Sequence, residues 1–112
     1  MTVTPGAYHS SADWPEVEAV PGVFRRVLAC GDDVMVVQFT IEAGADVPAH
    51  THSHEQVGHV VSGRMQFRIG DEVRELGPGD GYSVPGGVTH GAVGITRVVA
   101  IDSFHPVRDD YR

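Results

Sequence analysis

The feature that most constrains the fold is a two-residue hydrophobic period, cut into short lengths by glycine and proline. Across residues 34–41, Met35, Val37, Phe39 and Ile41 alternate with Val34, Val36, Gln38 and Thr40. Met65, Phe67 and Ile69 alternate in the same way with Arg64, Gln66 and Arg68. Side chains two apart share one face of a strand, so both segments read as β. Gly70-Asp71 then predicts a hairpin, and Pro78-Gly79 in LGPGD suits the central positions of a type II turn. Further strands are expected over 82–84, about 90–93 and 97–104. No stretch sustains a 3.6-residue period with caps, so little helix is expected. Many short strands with Gly/Pro turns mean a sandwich or barrel. The first segment is apolar on both faces, which fits a strand covered on both sides in a sandwich or at a dimer contact.

A chain of 112 residues makes one domain with one core. Residues 1–22, rich in Pro, Ser, Thr and acidic side chains, read as an N-terminal arm on a barrel of residues 23–112. Tyr8 and Trp14 are its bulky anchors, docking the arm on the domain or on a second subunit. The formal net charge of -7 argues against nucleic acid or an anionic membrane as partner. All eight basic residues are arginine, which removes P-loop, Schiff-base and Ser-Lys chemistry. Cys30 is the single cysteine and reads as a small hydrophobe beside a turn; with no disulfide possible within the chain, a reducing compartment fits. MTVTPGAYHS has neither a basic nor an apolar leader region, and no apolar run reaches membrane-spanning length. A soluble, cytoplasmic protein is therefore expected. GPGDGYSVPGG lacks the lysine and the spacing of a phosphate loop and is read as turns.

Four of the seven histidines, His50, His52, His54 and His59, fall within ten residues. In extended backbone, which Pro48 favours at its neighbour, His50 and His52 point to one side and can bind one ion together. Further donors must come from nearby and from a separate strand. His9, His90 and His105 lie outside the cluster, and His90 follows the turn PGGVT onto a new strand.

The full spacing resembles the cupin superfamily. Gly44-x5-His50-x-His52-x3-Gln56-x6-Gly63 is similar to its first motif, and Gly79-x5-Pro85-x-Gly87-x2-His90 to its second. The resemblance runs from Gly22 to the end. It implies an all-β, single-domain jelly-roll β-barrel (a double-stranded β-helix) holding one divalent metal ion on His50, His52, Gln56 and His90. Nickel, zinc, iron and manganese all suit such donors. Gln56 stands where the family usually has Glu, and Gly94 where it usually has Asn. A neutral amide leaves the full charge on the ion, weakening its hold but polarising its other ligands more strongly. Glu55, facing the other way on a strand, is the poorer candidate. His54, in a turn, and His59, of opposite parity to Gln56, are read as bystanders. The faces taken by Arg64 and Arg68 stay open, with solvent the expectation.

The ending DSFHPVRDDYR, with HTHSHEQ and the GVF after Pro-Gly, resembles the small cupins of pectin and alginate breakdown. Those linearise 4,5-unsaturated uronate monosaccharides to keto-uronates. The resemblance implies Asp102 as proton carrier, Phe104 packing on the sugar ring and Arg108 binding the substrate carboxylate. The partner is then an anionic sugar acid; the doubly apolar strand and the N-terminal arm suggest a homodimer. Against these roles, Asp102 reads equally as a solvated strand end, Phe104 as a core residue and Arg108 as a surface partner of Asp109 or Asp110. Two other classes stay open: a different cupin metalloenzyme, resembling the manganese hydroxynitrile lyases or the dioxygenases, and a binding domain without catalysis.

Overall fold

The computed structural model describes residues 6–112. Ten strands and a closing 3-10 turn make up its regular structure: β1 (Val17–Val20), β2 (Val23–Cys30), β3 (Met35–Ile41), β4 (Asp46–His50), β5 (Glu55–Ser62), β6 (Met65–Ile69), β7 (Glu72–Leu76), β8 (Gly81–Val84), β9 (His90–Gly94), β10 (Val98–His105) and Asp109–Tyr111. They form a six-stranded sheet, β1-β2-β3-β10-β5-β8, and a four-stranded sheet, β4-β9-β6-β7. Every pairing is antiparallel. No described helix is long and apolar enough to cross a membrane.

The alternation seen in the sequence sets which side chains go inside. Met65 and Phe67 of β6 are buried while Gln66 and Arg68 are exposed. Their four-stranded sheet packs them on Val60, Val84, Val98 and Ala100 of the six-stranded sheet. A second cluster, Val27, Met35, Val37, Phe104 and Val107, continues the core beneath the C-terminal residues. The other face of β3 and β5 stays partly apolar: Val36 is half-buried, and Val57 and Val61 are exposed. Asp80 N–H donates to Gly77 O at 3.0 Å around Pro78-Gly79. Gly79 takes φ of 88°, the left-handed backbone that the third residue of a type II turn needs.

The N-terminal residues divide. Residues 1–5 of the expected arm lie outside the described residues. Val17–Val20 joins the six-stranded sheet as its edge by pairing with β2. Trp14 packs on the second cluster, next to the His9 ring. Tyr8 is fully exposed and makes no such anchor among the described residues. Cys30 is half-buried against that same cluster.

Candidate metal centre and cavity

The two sheets enclose a cavity of about 320 Å³. Its polar lining includes His50, Gln56, Tyr82, His90 and Asp102, set among apolar and aromatic side chains. These residues come from five strands, and strand parity aims each of them inward. On β5, Gln56, Gly58 and Val60 are buried while Glu55, Val57 and His59 are exposed. Amide and not carboxylate therefore faces the cavity, and His59 points out.

His50 at the end of β4 and His90 at the start of β9 are cross-strand partners. Their ring centroids lie 4.3 Å apart, and His52 stands 4.7 Å from His90. One ring nitrogen from each of the three falls within 4.8 Å of the others. Each ring's Nδ1 sits against a backbone carbonyl: Pro48 O for His50 at 2.8 Å, His54 O for His52 at 3.0 Å, and Val88 O for His90 at 2.9 Å. A carbonyl only accepts, so Nδ1 carries the hydrogen and Nε2 keeps its lone pair for the interior. Burial, with the Arg108 cation second for His52, holds His52 and His90 below the usual imidazole value, which favours that neutral form.

Two observations make this site fit a divalent cation. His90 Nε2 is buried and has no hydrogen-bond partner. His52 Nε2 lies 3.2 Å from Gln56 Oε1, an acceptor facing a lone pair. The amide cannot turn round to relieve that contact, because Gln56 Nε2 already donates to Asp102 Oδ2. A cation among these atoms satisfies all of them. Imidazole nitrogens with an amide oxygen are donors for first-row divalent ions, with positions left open for other ligands.

Asp102, 2 % exposed on β10, is the charged group of the cavity wall. It accepts from Gln56 Nε2 and, on its other oxygen, from the Tyr82 hydroxyl. Burial raises its carboxyl to about 6, against the opposing effect of those two hydrogen bonds. Burial and the adjacent carboxylate push the Tyr82 phenol far above its ordinary value, so it stays a donor. Gly58 makes room for both groups. It pairs with Asp102 on one side and Tyr82 on the other, and a Cβ there would land on Asp102 Oδ1 and 2.8 Å from the Tyr82 oxygen.

Phe104 is 1 % exposed and belongs to the second core cluster, yet one side of it lines the cavity beside His52. Arg108 is also nearly buried, its side chain 12 % exposed. Its Nε and Nη2 donate to the Asp110 carboxylate at 3.1 and 2.9 Å, the surface partnership weighed from the sequence. Its guanidinium also lies over the Phe104 and Tyr111 rings, and its Nη1 is buried without a partner. His54 is half-buried behind His52, and Arg64 pairs with Glu75 at the surface. Sequence reasoning missed Tyr82 and Tyr111. For Tyr82 the signal was its shared parity with the buried Val84.

Residues 37–103 match the cupin domain family, and that span holds both motifs and all three histidines. The chain is a cupin. The pectin degradation protein KdgF of Dickeya dadantii is 32% identical over 106 residues, which is 93% of this cupin and 96% of that protein. The structure of KdgF from a Halomonas species superposes with a TM-score of 0.87 at 33% identity, covering 95% of this chain and 98% of that one. An RmlC-like cupin from Shewanella frigidimarina does so at 0.88 with 30% identity, covering 96% and 97%.

Proposed function

We propose that this cupin opens 4,5-unsaturated uronate monosaccharides to their linear keto form, with a divalent ion held by His50, His52, Gln56 and His90. The observation that carries the reading is Asp102: a buried carboxylate with a value near neutrality, in the cavity wall and one hydrogen bond from Gln56. Similarity over nearly the whole chain to a protein described as acting in pectin degradation supports the substrate class. The bound ion supplies Lewis acidity toward the substrate's oxygens.

The remaining work falls to the chain's own side chains. Asp102 takes the proton of the anomeric hydroxyl as the bond between C1 and the ring oxygen breaks, leaving an aldehyde at C1 and an enolate at C5. The same carboxyl then returns its proton to C4, which gives the ketone. The reaction is an isomerisation and needs no co-reactant. A carboxyl near 6 exchanges protons in both directions at neutral pH. Tyr82 and Gln56 hold it in one orientation throughout. Phe104 forms an apolar wall for the sugar, and Arg108 attracts the substrate carboxylate.

The test mixes protein with unsaturated galacturonate and follows the ultraviolet absorbance of its conjugated acid, with chelator-treated protein and Asp102→Ala alongside. The absorbance is expected to fall only where metal and Asp102 are both present. No fall with metal demonstrably bound would exclude this reaction on this substrate.

A further inference from the structure

Arg25 has no assigned work, and its position is unusual for an arginine. On β2 it is the cross-strand partner of Phe39. Such partners share a sheet face, so Arg25 leaves the sheet on the side where Phe39 lines the cavity. Its guanidinium carbon lies 4.3 Å from the centroid of the Tyr111 ring. That of Arg108 lies 4.2 Å from the same centroid. Tyr111 is itself part of the cavity wall, braced by the edges of Phe39 and Phe104.

Charge makes the arrangement informative. Arg64, Arg74, Arg97, Arg108 and Arg112 each pair with a carboxylate. Arg25, Arg26 and Arg68 form no such pair among the described residues, although the chain carries a net charge of -7, and of the three it is Arg25 that lies over the Tyr111 ring. Its Nη1 is buried and meets no acceptor, and Arg108 Nη1 is in the same condition. A buried cationic donor left unpaired is costly, so two beside one ring imply an absent acceptor. Arg108 alone is a poor receptor for a carboxylate. Its Nε–Nη2 edge is engaged by Asp110, so an incoming carboxylate meets it only end-on, through Nη1 and the remaining Nη2 N–H.

We propose that Arg25 is a second carboxylate-binding residue at the Tyr111 edge of this cavity, behind its lining, acting with Arg108 to select ligands that carry an acid group. The proposal rests on the cavity being the substrate site, as read above, but not on the ring-opening chemistry. Ligand enters with its sugar ring against the aromatic wall and its carboxylate toward the Nη1 atoms of the two arginines. A neutral sugar of the same shape leaves both donors unpaired and is rejected.

Calorimetric titration of the metal-loaded protein with galacturonate and with galactose tests this on wild type, Arg25→Gln and Arg25→Lys. Galacturonate is expected to bind wild type better than galactose and to weaken at least about tenfold in Arg25→Gln. Arg25→Lys should recover much of that loss, and galactose should be indifferent to all three. If the ring-opening reaction runs, KM for unsaturated galacturonate rises about tenfold in Arg25→Gln while kcat changes less than about threefold. Residue-resolved phenylglyoxal labelling of wild type gives a reading that does not depend on a variant folding. Galacturonate should protect Arg25, and galactose should not. Unchanged galacturonate affinity in Arg25→Gln, equal weakening of both sugars, or labelling of Arg25 indifferent to galacturonate would each overturn the proposal. Arg25-dependent binding without turnover of the unsaturated sugar would instead remove the ring-opening reading and leave the carboxylate site standing.

Discussion

Replacing Asp102 by Asn should remove a pH dependence of stability whose size follows from the structure. Asp102 is 2 % exposed and its carboxyl is raised from 3.8 to about 6, burial being the main cause. Below pH 3.8 the group is protonated in both folded and unfolded chains and contributes nothing. Between 3.8 and about 6 the folded protein keeps a proton that the unfolded chain releases, so stability falls as pH rises. Above 6 the full penalty is present. A shift of roughly two units corresponds to about 3 kcal/mol. His52 and His90 act in the opposite sense. Their values are lowered, so the unfolded chain binds the extra protons and their contribution improves as pH rises through 6.5. Both variants share that background, and subtraction removes it. Asn also changes the hydrogen bonding with Gln56 and Tyr82, which adds an offset but no slope. Urea unfolding of chelator-treated protein, followed by Trp14 fluorescence from about pH 4 to pH 7.5, measures the difference directly. Wild type should lose about 2.5 kcal/mol relative to Asp102→Asn across that range. Parallel curves, within about 0.5 kcal/mol, would refute the argument that burial sets this carboxyl.

Three further outcomes are expected. Gly58→Ala should push the Asp102 carboxylate off its seat, costing about 1–3 kcal/mol by overpacking in denaturant titration and abolishing turnover of unsaturated galacturonate. Tyr82→Phe deletes a hydrogen bond that lowers the Asp102 carboxyl, so the acidic limb of the kcat/KM profile should move to higher pH. His90→Ala should lower affinity for added nickel or manganese at least about tenfold by calorimetry, and chelation, which lowers the thermal midpoint of wild type, should have little effect on the variant.

The chain itself specified a great deal. Two-residue alternation placed Met65 and Phe67 inside; parity on β5 set Glu55 and His59 opposite Gln56, and the motif spacing chose Gln56 as the inward one. His50 and His52 were legible as a pair because their spacing matches the strand repeat, and Pro78-Gly79 announced its turn through backbone restriction. All of this is local chemistry, acting over a few residues. Parity says which face a side chain takes but not what it meets there. That Gly58 lies between Asp102 and Tyr82, or that Arg25 and Arg108 meet at Tyr111, depends on the register of strands far apart in sequence. The raised carboxyl of Asp102 is a property of that assembled interior. Read alone, DSF gives an acidic residue at a strand end; packed between Gln56 and Tyr82, out of water, it becomes a carboxyl raised to about 6. The sequence by itself determined the alternation of the core strands and the His50–His52 pair, because each depends on short-range backbone geometry; His90 joins that pair through the long-range pairing of β4 with β9. Only the tertiary structure decided the charge state, the orientation of Gln56 and the grouping of the arginines, because these depend on burial and long-range contact.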